Sequence, residues 1–200
     1  ITIPHLGYIK RTPLADFRQQ GRGGVGAKAS AARDEDFIEY VHQANMHSTM
    51  MFFTEQGRLY WTKVYELPEG NRQSKGRALQ NMINIQKGDK VCAFIHVKNL
   101  SDMEYVQNHY LIFATKNGLM KKTTLESYSR PRANGIIALG LREDDRLIRV
   151  TLTDGNSQML VASYNGKVVR FPEDTVRPMG RTATGVRAIK LDEDGHDRAV

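Results

Sequence analysis

The feature that most constrains this chain is a pattern that occurs four times along its length. In each copy a short apolar stretch ends at a glycine, and a second stretch that carries basic residues follows. These hairpin glycines, at intervals of 50, 61 and 48 residues, are Gly7, Gly57, Gly118 and Gly166. Asparagine precedes the last two, and Asn-Gly between apolar stretches predicts a tight β-hairpin because such turns need positive φ angles. The sequence therefore predicts four hairpins.

A second glycine follows each hairpin glycine after 17 to 19 residues, at Gly26, Gly76, Gly135 and Gly185. A short strand, an acidic turn (residues 34–36, 88–89, 142–145 and 192–195) and a further apolar strand come next, the last copy being truncated. Four short strands in each repeat predict a propeller blade. We therefore expect an all-β fold with approximate blades at residues 1–50, 51–110, 111–158 and 159–200. A single β-sandwich is the alternative.

The composition narrows the classes of function. Lys and Arg total 29 against 22 Asp and Glu, and the net charge of +7 favours a polyanionic partner. No apolar run is long enough to cross a bilayer, and six scattered histidines and one cysteine lack metal-ligand spacing. Cys92 lies in an apolar stretch, which predicts a core residue in a reducing cytoplasm. We expect no catalytic or metal site, and the abrupt ends at Ile1 and Val200 predict a larger parent protein.

Residues 19–28 form the sharpest local motif, with four glycines in six positions. Exposed glycine amides, together with Arg22 and Lys28, can hold phosphate groups. The spacing Gly-x-Gly-x-x-Gly also matches a dinucleotide-binding fingerprint, but the preceding residues are polar and Met46 stands where an acidic residue belongs. The P-loop pattern fails because Ala27, not lysine, follows Gly26. A flexible connector stays open as the alternative to a phosphate contact.

Basic residues recur after the hairpin glycine and around the second glycine of each repeat. If the repeats are blades, these positions form a stripe around a disc, which suits the bent backbone of double-stranded DNA. A propeller that binds protein partners and no DNA is the alternative from another class. The predicted DNA-contacting cations are Lys10, Arg11, Arg18, Lys28, Lys63, Arg72, Lys75, Arg77, Lys121, Lys122, Arg130, Arg132, Lys167, Arg170, Arg177, Arg181 and Arg187.

The stretch from Gly7 to Gly26 resembles the first blade of the DNA gyrase A C-terminal domain family. The hallmark of that family is the gyrase A box, Gln-Lys/Arg-Arg-Gly-Gly-Lys/Arg-Gly. Gly21 and Val25 depart from this pattern because they replace basic residues, which implies a weakened box. Residues 128–136 and 179–187 also resemble the family, and the resemblance covers essentially the whole chain. The box maps onto Gln20, Gly21, Arg22, Gly23, Gly24, Val25 and Gly26.

The resemblance implies a β-pinwheel, which is a propeller-like disc of usually six blades with strands exchanged between neighbours; about four are expected here. It implies duplex DNA wrapped chirally around the basic rim and no catalysis in this chain. ATP-dependent negative supercoiling would belong to a parent type IIA topoisomerase, a gyrase A homodimer with two gyrase B subunits. That parent would use ATP and Mg through other domains, in the bacterial cytoplasm at the nucleoid. The alternative within the family is the C-terminal domain of the topoisomerase IV A subunit, which normally lacks an intact box.

Overall fold

A computed structural model describes residues 1–27, 30–31, 36–193 and 195–200. The described residues form fourteen β-strands, one short α-helix and five short 3-10 helices, which confirms the all-β prediction. The strands are β1 Thr2–Pro4, β2 Tyr8–Ile9, β3 Ile38–Val41, β4 Thr49–Thr54, β5 Arg58–Lys63, β6 Arg77–Ala78, β7 Val91–Val97, β8 Tyr110–Thr115, β9 Leu119–Thr124, β10 Ile136–Ile137, β11 Leu147–Thr153, β12 Gln158–Ala162, β13 Val168–Pro172 and β14 Val186–Arg187. The helix α1 spans Met103–Asn108, and the 3-10 helices span Leu14–Asp16, Val64–Glu66, Leu79–Asn81, Leu125–Tyr128 and Glu173–Thr175.

The strands follow one another as four β units along the chain. Unit 1 contributes β1 to β3, unit 2 contributes β4 to β7, unit 3 contributes β8 to β11, and unit 4 contributes β12 to β14. The hairpins β4–β5, β8–β9 and β12–β13 are antiparallel and turn at the predicted glycines. Units 2 and 3 each build on a four-stranded sheet, with the orders β10-β5-β4-β7 and β11-β8-β9-β14.

The strand at one edge of a sheet comes from the following unit. β6, β10 and β14 pair antiparallel with β2, β5 and β9 of the preceding units. Just beyond these strands, the amides of Leu79, Ala138 and Ala188 donate to the carbonyl oxygens of Gly7, Gly57 and Gly118 at 2.8–3.0 Å. The implied strand exchange is therefore present. The single β-sandwich is wrong because the strands form successive sheets linked by exchange.

The second glycines are the points where an exchanged strand approaches the preceding unit. A Cβ atom on Gly76, Gly135 or Gly185 would lie 2.7, 2.7 or 2.5 Å from the carbonyl oxygen of Ile9, Leu59 or Met120, respectively. These glycines also have φ angles of +77°, +67° and +102°, where other residues are strained. Each side chain other than hydrogen would therefore push the exchanged strand off its neighbour.

The hydrophobic core lies between the sheets. β4 is buried along its whole length, because its alternate side chains face opposite neighbours. Met50 and Phe52 pack with Ile3 and Ile9 of unit 1, whereas Met51 and Phe53 belong to the cluster that unit 2 shares with unit 3. A third cluster joins units 3 and 4. This arrangement explains why the central strands read as continuous apolar runs.

The acidic turns hold the tips of the hairpins. One carboxylate oxygen of Asp36, Asp89, Asp145 or Asp197 accepts the amide N–H of the residue just before the hairpin glycine, at 2.9–3.2 Å. The same carboxylate oxygen also accepts the amide N–H of the residue that directly follows the aspartate in sequence. An aspartate at the hairpin tip is therefore a fixed part of each repeat, although the fourth one, Asp197, lies two residues beyond the predicted acidic stretch 192–195. Residues 34, 35 and 194 of the predicted stretches lie outside the described residues.

The interval between the second and third hairpin glycines is long because it contains α1. Asp102 caps this helix, since its carboxylate accepts the amide N–H of Tyr105 at 3.1 Å. The buried Val106 anchors α1 to the cluster between units 2 and 3. The extra residues therefore form a local insertion that leaves the strand order of the repeat unchanged.

Candidate nucleic-acid interface

The second-glycine turns recur at the outer edges of the sheets. β7 and β11 contact each other, so the sheets of units 2 and 3 converge at these edges. The exchanged strands β10 and β14 occupy the opposite edges of the two sheets. The turns that lead into the exchanged strands therefore lie along these edges, and we call this side of the array the outer edge.

Three of these turns place an arginine at the same position. The amides of Gly24, Ser74 and Ala183 donate to the carbonyl oxygens of Gly21, Asn71 and Gly180 at 3.1–3.2 Å, which closes a four-residue turn in each case. The second residues of these turns are Arg22, Arg72 and Arg181. In unit 3 the turn runs from Arg132 to Gly135, so the arginine is the first residue of the turn and not the second, and Arg130 and Arg132 are exposed.

The glycine-rich loop is ordered by contacts of its own. The Gln20 side-chain oxygen accepts the amide N–H of Gly26 at 2.8 Å, and a Cβ on Gly24 would lie 2.7 Å from the same oxygen. Gly23 and Gly26 have φ angles of +79° and +80°. Residues 20–27 are exposed, and Val25 is completely so. The loop thus presents amides and Arg22 to solvent, while Lys28 lies outside the described residues.

The glycine-rich loop does not lead into a nucleotide-binding βαβ unit. The dinucleotide fingerprint needs a helix after its glycines. Among the described residues that come after Gly26, the first regular element is instead the strand β3. Asp36 and Glu39, the nearby acidic residues, accept hydrogen bonds from Leu6 and His5 of the same unit. The described residues therefore do not fit a dinucleotide-binding unit, and phosphate contact by the loop stays a prediction beside the flexible connector.

Most of the predicted cations reach solvent, but four of them also bind protein groups. Arg11 pairs with Glu69 and donates to the Leu67 carbonyl oxygen, while Lys63 donates to the His47 carbonyl oxygen and the Thr49 hydroxyl. Lys167 pairs with Asp192, and half-buried Arg181 donates to the Ile137 carbonyl oxygen. Arg72 is also half-buried. The exposed members are Arg18, Arg22, Lys75, Arg77, Arg130, Arg132, Lys167, Arg170, Arg177 and Arg187.

Three predicted DNA contacts are wrong. Lys10, Lys121 and Lys122 are only 3%, 1% and 4% exposed, so their ammonium groups cannot reach a phosphate. Lys122 forms a buried ion pair with Glu173 at 3.1 Å and lies 4.2 Å from the centre of the Tyr110 ring. Lys10 and Lys121 donate to main-chain carbonyl oxygens of other units. The buried charge is tolerated because each ammonium group has polar partners.

The outer edge is continuous between units 1 and 2. A surface cavity of about 390 Å³ lies between the stretch around Arg18 and the turn around Arg72. Arg18 and Arg72 line it together with Asp16, Asn71 and Gln73. Cations that are far apart in sequence therefore share one concave surface, as the stripe predicted from the repeats requires.

Cys92 behaves as a core residue. Its thiol is largely covered and donates to the Phe53 carbonyl oxygen at 3.5 Å. Burial, and the negative charge of Glu55 to a smaller extent, raise the pKa of the Cys92 thiol to about 12. A thiol that stays protonated is a poor nucleophile.

The sequence interpretation missed two features of this surface. It did not identify the aspartates that fix the hairpin tips or the lysines that hold main-chain oxygens of the next unit. The regular recurrence of an aspartate in every repeat was a signal for the first. No local sequence signal distinguishes a buried lysine from an exposed one. The role of these lysines could therefore be identified only once the position of the neighbouring unit was known. Within the described ranges, no helix is long and apolar enough to span a membrane.

Comparisons with known proteins agree with this geometry. The sequence matches the family described as "DNA gyrase C-terminal domain, beta-propeller" over residues 5–45, 48–98, 109–154 and 158–198. It is 46% identical to the DNA gyrase A protein of Haemophilus influenzae over 191 residues, which is 96% of this chain and 21% of that protein. The chain spans about a fifth of the length of the curated relatives it matches.

Two solved structures share the fold across the whole chain. One is the C-terminal domain of a DNA topoisomerase IV, with a TM-score of 0.82, 28% identity and 58% of that chain covered. The other is a DNA gyrase A C-terminal domain, with a TM-score of 0.71, 22% identity and 62% of that chain covered. Four matched segments, the exchanged strands and these neighbours lead to one conclusion: the chain belongs to the DNA gyrase C-terminal domain family, and it is a type IIA topoisomerase C-terminal domain.

Proposed function

We propose that this chain binds duplex DNA along its outer edge and wraps it, as a non-catalytic domain of a gyrase A protein. The observation that carries the proposal is the repeated arginine turn. Arg22, Arg72 and Arg181 occupy one turn position in three units, in the turns that precede the edge strands. Cations that recur at one position of successive units can contact successive phosphates of a bent DNA duplex. A compact ligand would contact only one such position.

The energetics agree with distributed phosphate contacts. Bending 20–30 base pairs by 40–90° costs roughly 1–6 kcal/mol. Each neutralised phosphate releases condensed counterions, and the logarithm of the binding constant falls with the logarithm of salt by about 0.9 per contact. Several arginines on one curved edge can offset the bending cost. Because they contact phosphates rather than base edges, binding is expected to depend steeply on salt and little on sequence.

The activity of the whole protein is part of the same proposal. We infer a parent gyrase in which this domain presents a DNA crossing to catalytic domains elsewhere, so that ATP-dependent negative supercoiling results. The partners would be two gyrase B subunits together with a second copy of gyrase A, and ATP and Mg would act through other domains. The support for this step is the 46% identity to a gyrase A protein over 96% of the chain.

The direct test is duplex binding by the full chain as a function of salt. We expect the Arg22→Ala, Arg72→Ala, Arg181→Ala triple variant to bind more weakly and to lower the log–log salt slope by about three contacts. The control is Lys87→Ala, Lys90→Ala, Lys98→Ala, which removes the same charge from exposed positions at the other side of the sheet, around β7. Equal losses in both variants would reject a specific outer-edge path.

A second candidate is a topoisomerase IV-type domain. The observations in its favour are the uncharged Gly21 and Val25 in the box and the TM-score of 0.82 to a topoisomerase IV domain. The two candidates differ in the change of DNA topology that the full-length protein would catalyse, and not in whether the domain binds duplex DNA. With the cognate ATPase partner, the full-length protein should introduce negative supercoils into relaxed plasmid; relaxation and decatenation without supercoiling would favour the second candidate.

A further inference from the structure

We propose that Lys10, Arg58 and Lys121 are positioning residues for the basic turns of the outer edge. Each belongs to one unit and donates to main-chain oxygens in a basic turn of the next unit. The inference rests on the proposed DNA-binding function, because it assigns how the arginine turns are held in shape. It also reassigns Lys10 and Lys121, whose charges the sequence had suggested for direct phosphate contact.

Lys10 shows the arrangement most fully. Its buried ammonium group donates to the carbonyl oxygens of Asn71, Arg72 and Ser74 at 2.9, 3.2 and 2.6 Å. An ammonium group has three N–H donors, so the turn uses its whole capacity. The carbonyl of Arg72 itself is one acceptor, and the amide of Ser74 closes that turn onto Asn71. The charge of unit 1 therefore fixes the peptide planes on both sides of Arg72.

Lys121 occupies the equivalent position in unit 3, three residues after the hairpin glycine. Its ammonium group donates to the Arg181 carbonyl oxygen, to the Ala138 carbonyl oxygen at 2.6 Å and to the Tyr128 hydroxyl at 3.2 Å. Arg181 lies at the same turn position as Arg72. Two lysines at one repeat position thus each donate to the carbonyl oxygen of the turn arginine in the next unit.

Unit 2 reaches the same result with other residues. Tyr60 stands at the lysine position, and its hydroxyl accepts a hydrogen bond from the Arg58 guanidinium at 3.1 Å. That guanidinium donates to the carbonyl oxygen of Asn134, which lies in the basic turn of unit 3, at 3.0 Å. Because different side chains make a cation-to-carbonyl contact at three successive junctions, the contact itself is the recurrent feature.

The functional consequence is preorganisation. A turn whose carbonyls are already fixed loses less conformational freedom when its arginine binds a phosphate. The lysine then contributes to DNA affinity without touching DNA. Its contribution must disappear when the arginine that it positions is removed, whereas a general loss of fold stability would add to any other defect.

The test is a double-mutant cycle in the full chain on a duplex of about 30 base pairs. Arg72→Ala should weaken binding several-fold and lower the salt slope by about one contact. Lys10→Met should weaken binding by a similar or smaller factor, and the double variant should be no weaker than Arg72→Ala. Lys90→Met, an exposed neutralisation away from the turns, is the matched control. Additive losses in the double variant would overturn the proposal.

A second readout does not involve DNA. In Lys10→Met, hydrogen exchange at the amides of Ser74 and Gly76 should accelerate at least tenfold, while the core amides of β4 and β8 stay protected. Unchanged exchange in the turn would overturn the positioning role whatever the DNA result. If the wild-type chain fails to bind duplex while this exchange effect is present, the DNA-binding function fails and the structural role stands.

Arg58 gives a variant that keeps the core intact, because its contact with Asn134 lies at an exposed site. Arg58→Ala should increase exchange at the amide of Gly135, which closes the unit 3 turn, and should couple with Arg132→Ala in the same cycle. A lack of coupling, with Arg132→Ala alone effective, would restrict the proposal to the two lysines and overturn its repeated form.

Discussion

Three lysines close to the hairpin glycines bind groups of the protein itself and not a ligand. Lys10, Lys121 and Lys122 are buried, and each has partners in another unit. The sequence shows that a residue is charged, but burial depends on acceptors that come from more than 50 residues away. The recurrence of basic residues in each repeat therefore predicted the surface position of the arginine turns correctly. It predicted the same position for these three lysines, which is wrong.

The charge of Lys121 predicts a pH effect on stability. Burial, and then the charge of Arg181, lower the pKa of Lys121 to about 7, whereas an unfolded lysine titrates near about 10.4. The unfolded chain therefore binds more protons above pH 7, and unfolding free energy must rise with pH in this range. Burial also raises the pKa of Tyr128, the neighbouring phenol, which stays neutral there.

The comparison of wild type with Lys121→Met isolates this effect, because the variant lacks the titrating group. Between pH 6 and pH 9, the unfolding free energy of wild type minus that of Lys121→Met should increase. Urea denaturation at several pH values measures it. A difference that does not rise with pH would show that burial does not lower the pKa of Lys121 in the folded protein.

The second glycines predict a strong and position-specific substitution effect. At Gly185, an alanine would have φ near +102° and a Cβ atom 2.5 Å from the Met120 carbonyl oxygen. Gly180, five residues earlier, has open space around it and an ordinary φ. Gly185→Ala should lower the unfolding free energy by about 2 kcal/mol or more. Gly180→Ala should change it by less than about 0.5 kcal/mol, and equal effects in chemical denaturation would contradict the close approach.

At the scale of elements, the hairpins could be predicted and the exchanged strands could not. Alternating apolar stretches around Asn-Gly are local signals, and they located the β8–β9 and β12–β13 turns. β6, β10 and β14 contain two residues each and pair with strands of the preceding unit. No periodicity can be read from two residues, so strand exchange came only from the family resemblance.

The hairpin-tip aspartates predict a repeated contribution to stability. Asp145 accepts the amides of Asn117 and Arg146 at 2.9 and 2.8 Å, whereas the exposed Glu143 is its neighbour in the same acidic turn. Asp145→Ala leaves two amides without their acceptor and should lower the unfolding free energy by about 1–3 kcal/mol. Glu143→Ala removes the same charge and serves as the control in urea denaturation. Equal effects would mean that charge, and not the hydrogen bonds, is what matters.

At the scale of the molecule, the array behaves as a curved series of sheets that share cores. Each core cluster is built from two units, so a unit is completed by its neighbour and cooperative unfolding across the junctions is expected. The same arrangement places a basic turn at the outer edge of each successive unit. The contacts of Lys10 and Lys121 connect the packing between units with the shape of the basic turns, because both lysines donate from one unit to a turn of the next.

The central claim is that this edge wraps DNA with a defined sign. The most direct measurement is ligation of nicked circular plasmid in the presence of the full-length protein, followed by determination of the linking number. The account predicts a shift that grows with protein concentration and is lost in the Arg22→Ala, Arg72→Ala, Arg181→Ala variant, while the Lys87→Ala, Lys90→Ala, Lys98→Ala control retains it. An unchanged linking number at concentrations that saturate the DNA would contradict the account.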